Sequence, residues 1–410
     1  MPDDPRGAPG ETVPPARSTD PKARLIAFVA ENKLNLLLLF VPVAVVVQIL
    51  HLPRLWLFGV SALAIIPLAG LIGEATEQLA HRTGAAVGGL LNATFGNATE
   101  LIIALIALRA GLPEVVKASI SGSIIGNVLL VLGASFLFGG WKWTRQYFDQ
   151  THASASAAML FLAVVALVMP AVFDLAVYGS LSENTSVVQS LSLLVAIVLI
   201  LNYLASLVFS LRTRRSLFSA DQRPTPRTIE DTVAGETAAT VAPESEPEEE
   251  SPRLGLTSSL VLLGVATVLT AVMSELLVQG ISDATRALGL TEFFVGVIVV
   301  AVVGNAAEHF SAVSMAMKNK MDLAVTIATG SSTQIALFVA PVLVIASFLF
   351  GTPMSLVFNA FEIVGIAFSV LVLAVVSLDG ESNWFEGLQL IAVYLMLAIV
   401  FYFVPAAAAR

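Results

Sequence analysis

Residues 96–104 read GNATELIIA, and residues 304–312 read GNAAEHFSA. Five of the nine positions are identical at an offset of 208. Each copy lies within a long apolar run, and chance similarity between apolar segments rarely reproduces the string Gly-Asn-Ala-x-Glu. The chain is therefore predicted to contain two related halves, each of which places one glutamate, Glu100 or Glu308, inside an apolar segment.

The composition is that of a membrane protein. Of the 410 residues, 57% are apolar and 12% are charged, whereas soluble domains carry roughly a quarter charged residues. The apolar residues form runs of about twenty, which is enough for a helix to cross roughly 30 Å of hydrocarbon. Transmembrane helices are therefore expected.

Charge and cysteine content exclude several classes of function. The chain has no cysteine, so neither disulfides nor thiolate metal sites are possible. The net charge of −9 is concentrated in part at residues 244–250, and no basic groove is evident. Nucleic-acid binding is therefore not expected.

Apolar runs bounded by Gly, Pro, Asn or charged residues predict eleven transmembrane helices. Residues 1–33 form a predicted disordered tail and lead-in without the features of a signal peptide. Residues 213–253, rich in Arg, Thr, Pro and Glu, form a predicted acidic linker that cannot fold alone. The predicted helices span residues 34–51, 54–80, 84–110, 114–140, 152–173, 187–212, 255–281, 291–318, 322–351, 355–378 and 384–405.

The two halves are predicted to cross the membrane in opposite directions. Five crossings separate the two copies of the repeated string, and an odd number reverses the direction. Inverted repeats are a common plan of secondary transporters, whose binding site lies near the midplane. The expected fold is an all-α integral membrane protein with an extra helix at 34–51 and five-helix repeats at 54–212 and 254–405.

The distribution of basic residues predicts the orientation. Lys and Arg concentrate in the N-terminal tail and in the loops on the same side of the membrane. By the positive-inside rule, the N-terminus and the acidic linker lie in the cytoplasm. We expect a multi-pass protein of a prokaryotic cytoplasmic membrane.

Glu100 and Glu308 are the first candidates for a binding site. A charged side chain inside a transmembrane helix costs at least several kcal/mol, and such residues usually line substrate or ion pathways. A protonated glutamate that only donates a hydrogen bond between helices is the simpler alternative. That alternative is harder to apply to two glutamates at repeat-related positions.

Amide side chains accompany the glutamates. Asn97 and Asn305 lie three residues before Glu100 and Glu308, so each shares a helix face with its carboxylate. Two further segments carry polar and small residues at helical spacing, and they align at an offset of 207, so that Asn127 corresponds to Gln334. Amide oxygens are plausible ligands for Ca2+ or a similar hard ion, although polar contacts between helices would explain them equally. The first segment contains Ser119, Gly122, Ser123, Gly126 and Asn127, and the second contains Thr326, Thr329, Gly330, Thr333 and Gln334.

Other residues are weaker candidates for the same site. Gly96 and Gly304 either expose carbonyl groups to the ion or let helices pack closely. Ser123 and Thr333 belong to the polar segments, and structural roles are the simpler explanation for hydroxyl groups. Glu275 and Glu74, which fall in equivalent helices of the two halves, could line entry paths or relay protons, although a solvated helix end is the simpler explanation for Glu74. His309 adjoins Glu308 but lies on a different helix face. Glu362 has no counterpart in the other half.

These motifs together resemble the Ca2+/H+ exchanger (CAX) branch of the Ca2+/cation antiporter superfamily. The resemblance extends over nearly the whole chain from the second predicted helix onward. It implies a ten-helix inverted core with one additional N-terminal helix, and cation ligation by Glu100 and Glu308. It also implies support from the four amides. The motifs that carry it are Gly96–Glu100, Gly122–Asn127, Gly304–His309, Lys318–Asp322, Gly330–Gln334 and Asp379–Gly387.

The predicted mechanism is competition of Ca2+ and protons for one site. Two carboxylates carry two negative charges, which one Ca2+ or two protons neutralise, and only the neutral site crosses the membrane at low cost. No phosphate-binding loop was found, so the energy is expected to come from an ion gradient, without ATP or any other cofactor. Ca2+, protons and the lipid bilayer are the expected partners, and a homo-oligomer is possible.

Other functions are compatible with the same residues. The same fold could exchange Na+ or K+ for protons, or accept Mn2+, which also takes oxygen ligands. A passive cation channel would also use carboxylates, but channels usually gather them from several subunits around one axis. A membrane scaffold without transport leaves the glutamate pair unexplained.

Overall fold

The computed structural model describes residues 33–179, 181, 186–217 and 254–405. The predicted tail and the predicted acidic linker fall almost entirely outside these residues. Helices make up nearly all of the described structure, which agrees with the all-α membrane fold expected from the apolar runs. A 3-10 turn, Lys33–Leu39, leads into the first α-helix.

Fifteen α-helical segments follow one another in the described residues, and three of their junctions are short π-helical segments. The α-helices are α1 (Phe40–Ile49), α2 (Arg54–Phe95), α3 (Ala98–Arg109), α4 (Pro113–Ile125), α5 (Leu132–Lys142), α6 (Gln150–Tyr178), α7 (Ser186–Leu217), α8 (Leu256–Leu288), α9 (Glu292–Phe294), α10 (Ala301–Gly304), α11 (Ala306–Met317), α12 (Met321–Gln334), α13 (Ala340–Leu349), α14 (Ala360–Val376) and α15 (Trp384–Phe403). The π-helical segments are Gly126–Val131 between α4 and α5, Val295–Val300 between α9 and α10, and Ile335–Val339 between α12 and α13.

Seven helices of the described chain are long and apolar enough to cross a membrane. An eighth span results if Glu292–Gly304 and Ala306–Met317, which meet at an angle of 58°, are counted as one broken span. Lys33–Ile49 and Ala360–Val376 are shorter apolar helices. The membrane fold is therefore confirmed, whereas the exact number of eleven crossings stays a prediction.

Helix α2 is not straight, although it is helical over its whole length. A Cβ atom at Gly88 would lie 2.8 Å from the carbonyl oxygen of Ala80. Eight residues of a straight helix rise about 12 Å, which excludes such a contact. The chain therefore turns back between these two residues, where the sequence predicted the boundary between the second and third spans.

The third and eighth predicted spans are not continuous helices, contrary to the sequence-based expectation. The first ends at Phe95 and resumes at Ala98, and Asn97 between them has φ −110° and ψ 29°. The second is interrupted at Asn305, with φ −89° and ψ 7°. Both asparagine side chains make hydrogen bonds to residues of the other half at these breaks.

Close helix crossings hold the broken spans in place. A Cβ atom at Gly122 of α4 would lie 2.0 Å from the carbonyl oxygen of Val297, and one at Gly296 would lie 2.8 Å from that of Val115. Only glycine allows the backbones to approach this closely. Helix α4 therefore packs directly on the π-helical segment that leads to the break at Asn305.

Two short strands join loops from the two halves. Strand β1 (Gln146–Tyr147) pairs in antiparallel register with β2 (Glu381–Ser382), so that Gln146 lies opposite Ser382. Phe148 extends the contact by donating its backbone N–H to the carbonyl oxygen of Gly380. This contact ties the loop before α6 to the loop before α15.

Candidate cation site

The two helix breaks place both glutamates at the beginning of a helix. Glu100 is in the first turn of α3, and Glu308 is in the first turn of α11. The first backbone N–H groups of a helix lack helical acceptors, and the helix dipole favours negative charge at this end. The breaks therefore provide a favourable electrostatic environment for a carboxylate, which a continuous helix would not.

The two glutamates lie close to each other. Both are partly buried, and the carboxylates interact electrostatically. Gly304 packs against the Glu100 side chain, since a Cβ atom there would lie 3.1 Å from Glu100 Cγ. The structure thus brings together Glu100 and Glu308 from opposite halves, as the repeated motif predicted.

The amide at the first break contacts the second half. Asn97 donates its Nδ2 hydrogen to Gln334 Oε1 at 2.5 Å, and Asn97 Oδ1 lies 3.0 Å from the hydroxyl of Ser331. A Cβ atom at Gly96 would come within 3.4 Å of Gln334 Oε1. Helix α12 of the second half therefore supplies the partners of the first break.

The amide at the second break contacts the first half in the same way. Asn127 Nδ2 donates to Asn305 Oδ1 at 3.1 Å, and Asn305 Nδ2 donates to the Ser123 hydroxyl at 2.8 Å. All three side chains are buried. Because each break pairs with the polar helix of the other half, the cluster forms at the contact between the two repeats.

Ser331 connects the two amide pairs and was missed in the sequence. Its hydroxyl lies 2.5 Å from Glu308 Oε2 and 3.0 Å from Asn97 Oδ1, and it accepts a hydrogen bond from Asn127 Nδ2 at 3.0 Å. In the repeat alignment Ser331 corresponds to Ile124, so a comparison of the two halves did not mark Ser331 as a site residue. Its place beside Gly330 in a run of hydroxyl residues was the available signal.

The cluster offers oxygen atoms of the kind that hard cations bind. Besides the two carboxylates it contains four amide oxygens and the hydroxyls of Ser123 and Ser331. Asn127 Oδ1 is buried and accepts no hydrogen bond from the described residues. A buried acceptor without a donor is costly, and a bound cation would satisfy it.

Three weaker candidates lie apart from this network. The Thr333 hydroxyl donates to the carbonyl oxygen of Thr329 in its own helix. Glu275 is exposed and accepts a hydrogen bond from Gln279. His309 is partly buried and makes no hydrogen bond to the cluster in the described structure. No group of three or more His, Asp or Glu side chains that could hold a metal occurs in the described part of the chain.

Burial along the two broken spans is reversed between the halves. In the first half, Asn92 before the break is exposed, while Ile103 after it is 1% exposed. In the second half, Val297 before the break is 1% exposed, while Phe310 after it is 50% exposed. This reversal fits two halves that run in opposite directions.

Known proteins share this architecture. A Ca2+/H+ antiporter from Aphanothece halophytica is 47% identical over 369 residues, which cover 90% of this chain and 96% of that protein. The Ca2+/H+ antiporter ChaA from Bacillus subtilis is 44% identical over 363 residues, with coverages of 88% and 96%.

The chain also resembles solved structures of such proteins. The crystal structure of the Ca2+/H+ antiporter protein YfkE superimposes with a TM-score of 0.73 at 40% identity, and covers 93% of this chain and 99% of that one. The H+/Ca2+ exchanger CAX, at 15% identity and a TM-score of 0.65, supports the fold alone. Residues 54–212 and 258–403 match the sodium/calcium exchanger protein family. These ranges include both helix breaks, and the chain belongs to the sodium/calcium exchanger protein family.

Proposed function

We propose that the protein is a secondary antiporter that exchanges Ca2+ for protons across a membrane by alternating access. One observation carries the proposal: Glu100 and Glu308 come together at helix breaks from opposite halves, among buried amide and hydroxyl groups. The relatives named Ca2+/H+ antiporters support the choice of substrates. The protein acts as a transporter and not as an enzyme.

Charge balance explains how the exchange is coupled. The deprotonated pair carries two negative charges in an apolar surrounding, which makes movement of the empty site across the membrane costly. One Ca2+ or two protons remove this charge. The site therefore changes sides only when it is loaded, and a proton gradient drives Ca2+ in the opposite direction without ATP or a cofactor.

The ligand chemistry favours a divalent ion. Ca2+ takes six to eight oxygen ligands. Glu100, Glu308, Asn97, Asn305, Asn127 and Gln334 supply carboxylate and amide oxygens, with hydroxyl oxygens from Ser123 and Ser331. A single Na+ or K+ would leave one negative charge on the pair. Mn2+ remains an alternative because it also accepts oxygen ligands and balances the same charge.

The proposal includes the location and orientation of the protein in the membrane. The protein lies in the lipid bilayer as a multi-pass protein, with the N-terminus and the acidic linker on the cytoplasmic side. A prokaryotic cytoplasmic membrane is the proposed location, and association of several copies is not required for the site.

Uptake of isotopically labelled Ca2+ into proteoliposomes tests the proposal. An imposed proton gradient should drive uptake by the wild-type protein, and Glu100→Gln and Glu308→Gln should each abolish it while the protein stays folded and inserted. Asp283→Asn, which alters partly exposed ion pairs with Arg286 and Arg54 away from the cluster, is the matched control. Substantial Ca2+ transport by either glutamine variant would reject the assigned site.

A further inference from the structure

A second group of buried charges lies between α4 and α14, apart from the cation cluster. Lys117 and Glu362 each have 2% of their surface exposed. Lys117 Nζ lies 3.0 Å from Glu114 Oε1, and Lys117 also interacts electrostatically with Glu362. A buried charge is tolerated when it is paired and hydrogen-bonded. These three side chains, the Lys117 cluster, therefore form one unit in which the Lys117 ammonium group lies between two carboxyl groups.

Glu362 links the two helices of this cluster. Its Oε1 accepts a hydrogen bond from the Ser121 hydroxyl of α4 at 2.8 Å. Its Oε2 accepts from the Asn359 backbone N–H at 2.8 Å, and the Asn359 side chain accepts from the Glu362 N–H at 3.0 Å. This reciprocal arrangement is a capping box that fixes the beginning of α14. The same carboxylate thus defines the start of α14 and holds α4.

Lys117 also helps to fix a buried segment without helical structure. Residues 354–359 precede α14, and all of them are buried. Backbone groups away from water need hydrogen-bond partners, and here side chains provide them. Ser347 and Ser192 accept from the N–H groups of Met354 and Leu356, and Lys117 donates to the carbonyl oxygen of Val357 at 3.2 Å.

The opposite face of α4 carries the amide of the cation site. At 3.6 residues per turn, Ser123 lies roughly 200° around α4 from Ser121. Asn127 is in the π-helical segment that continues α4 and contacts the same residue, Asn305, as Ser123. Ser121 contacts Glu362, whereas Ser123 and Asn127 contact Asn305. A rotation or shift of α4 would therefore move its cation-binding face away from the second break.

The repeat does not reproduce the residues of the Lys117 cluster in the second half. At the repeat offset of 207, Glu114 and Lys117 correspond to Met321 and Ala324. The cluster is thus not a copy of the cation site. Buried ion pairs stabilise a fold little more than apolar residues of the same volume, and their best-attested use is to fix one arrangement of packed elements.

We propose that Lys117 and Glu362 are positioning residues, which fix the rotation and height of α4 so that Ser123 and Asn127 meet Asn305. This inference rests on the proposed function, because it assigns Asn127 to the cation site. It adds a requirement outside that site: cation affinity depends on charges on the far side of α4.

Three variants separate positioning from stability. Lys117→Met and Glu362→Gln each break the cluster, and Lys117→Met/Glu362→Leu replaces both charges by apolar groups. Thermal unfolding in detergent and the apparent KM and maximal rate of Ca2+ uptake are measured for each, with Asp283→Asn as the control. Both single variants should unfold at lower temperature and raise KM about tenfold, the effect of losing roughly one hydrogen bond to a charged group, with a smaller change in rate.

The double variant decides between the two roles. It should recover part of the thermal stability, because neither Lys117 nor Glu362 is left buried without the other and Glu114 is partly exposed. The loss of the contacts to the Asn359 N–H and the Val357 carbonyl oxygen should keep the recovery incomplete. The double variant should keep the raised KM, because Ser121 has lost its contact with Glu362. A KM that returns to the wild-type value with the stability, or an unchanged KM in both single variants, would overturn the proposal.

A second readout does not depend on the transported ion. Hydrogen–deuterium exchange of residues 119–131 should be faster in all three variants than in Asp283→Asn. If the wild-type protein does not transport Ca2+, the proposed function fails. Hydrogen–deuterium exchange then still tests whether the Lys117 cluster positions α4. Equal exchange in all four variants would refute it.

Discussion

Replacing Ser331 by alanine should weaken Ca2+ binding by about tenfold to a hundredfold. The Ser331 hydroxyl lies 2.5 Å from Glu308 Oε2 and accepts a hydrogen bond from Asn127. A hydrogen bond to a charged group contributes about 1.5–3 kcal/mol, and about 1.4 kcal/mol corresponds to a factor of ten in affinity. Asn127 keeps Asn305 as its acceptor, so the loss at Glu308 should dominate.

The assay is the apparent KM for Ca2+ in proteoliposomes at fixed pH, together with calorimetric binding in detergent. Ser332→Ala is the matched control, because the neighbouring Ser332 hydroxyl is buried and donates to the Ala328 carbonyl oxygen of its own helix. The control should retain wild-type affinity. Equal effects of the two substitutions, or an unchanged KM in Ser331→Ala, would refute the role given to this hydroxyl.

Two further predictions follow from the same geometry. Asn127→Ala and Gln334→Ala should raise the KM for Ca2+ more than they lower the maximal rate, and unchanged KM values in both would return these amides to a structural role. Gly122→Ala should lower the temperature of thermal unfolding, because its Cβ atom would lie 2.0 Å from the Val297 carbonyl oxygen. Gly126→Ala should change it little, since nothing lies within 4 Å of a Cβ atom there. Equal unfolding temperatures of these two variants would contradict the close crossing.

The presence of two related halves could be predicted from the sequence, because the repeated string is direct evidence of it. Glu100 and Glu308 share a motif, and the offset that relates Asn127 to Gln334 pointed to the helices that complete the cluster. The cross-pairing of Asn97 with Gln334 and of Asn305 with Asn127 was not predicted, because spacing along the chain does not show which helix of one half packs on which helix of the other.

The breaks at Asn97 and Asn305 could not be predicted in the same way. An asparagine in an apolar run is compatible with a continuous helix, and the break depends on partners from the other half, which local propensity does not include. Ser331 was missed because its counterpart is Ile124, so it departs from the symmetry that identified the site. Lys117 lies near the end of a predicted span, where a charged residue is usually solvated, and only the packing of α14 shows that it is buried.

The most direct test of the central claim is the KM for Ca2+ as a function of pH, varied independently on the two sides of proteoliposomes with the membrane voltage clamped. If protons and Ca2+ compete for Glu100 and Glu308, acid on the side where Ca2+ binds should raise the KM. Acid on the opposite side should accelerate uptake. A Ca2+ flux that is indifferent to pH on both sides, but is driven by an imposed Na+ gradient, would contradict proton exchange at this site.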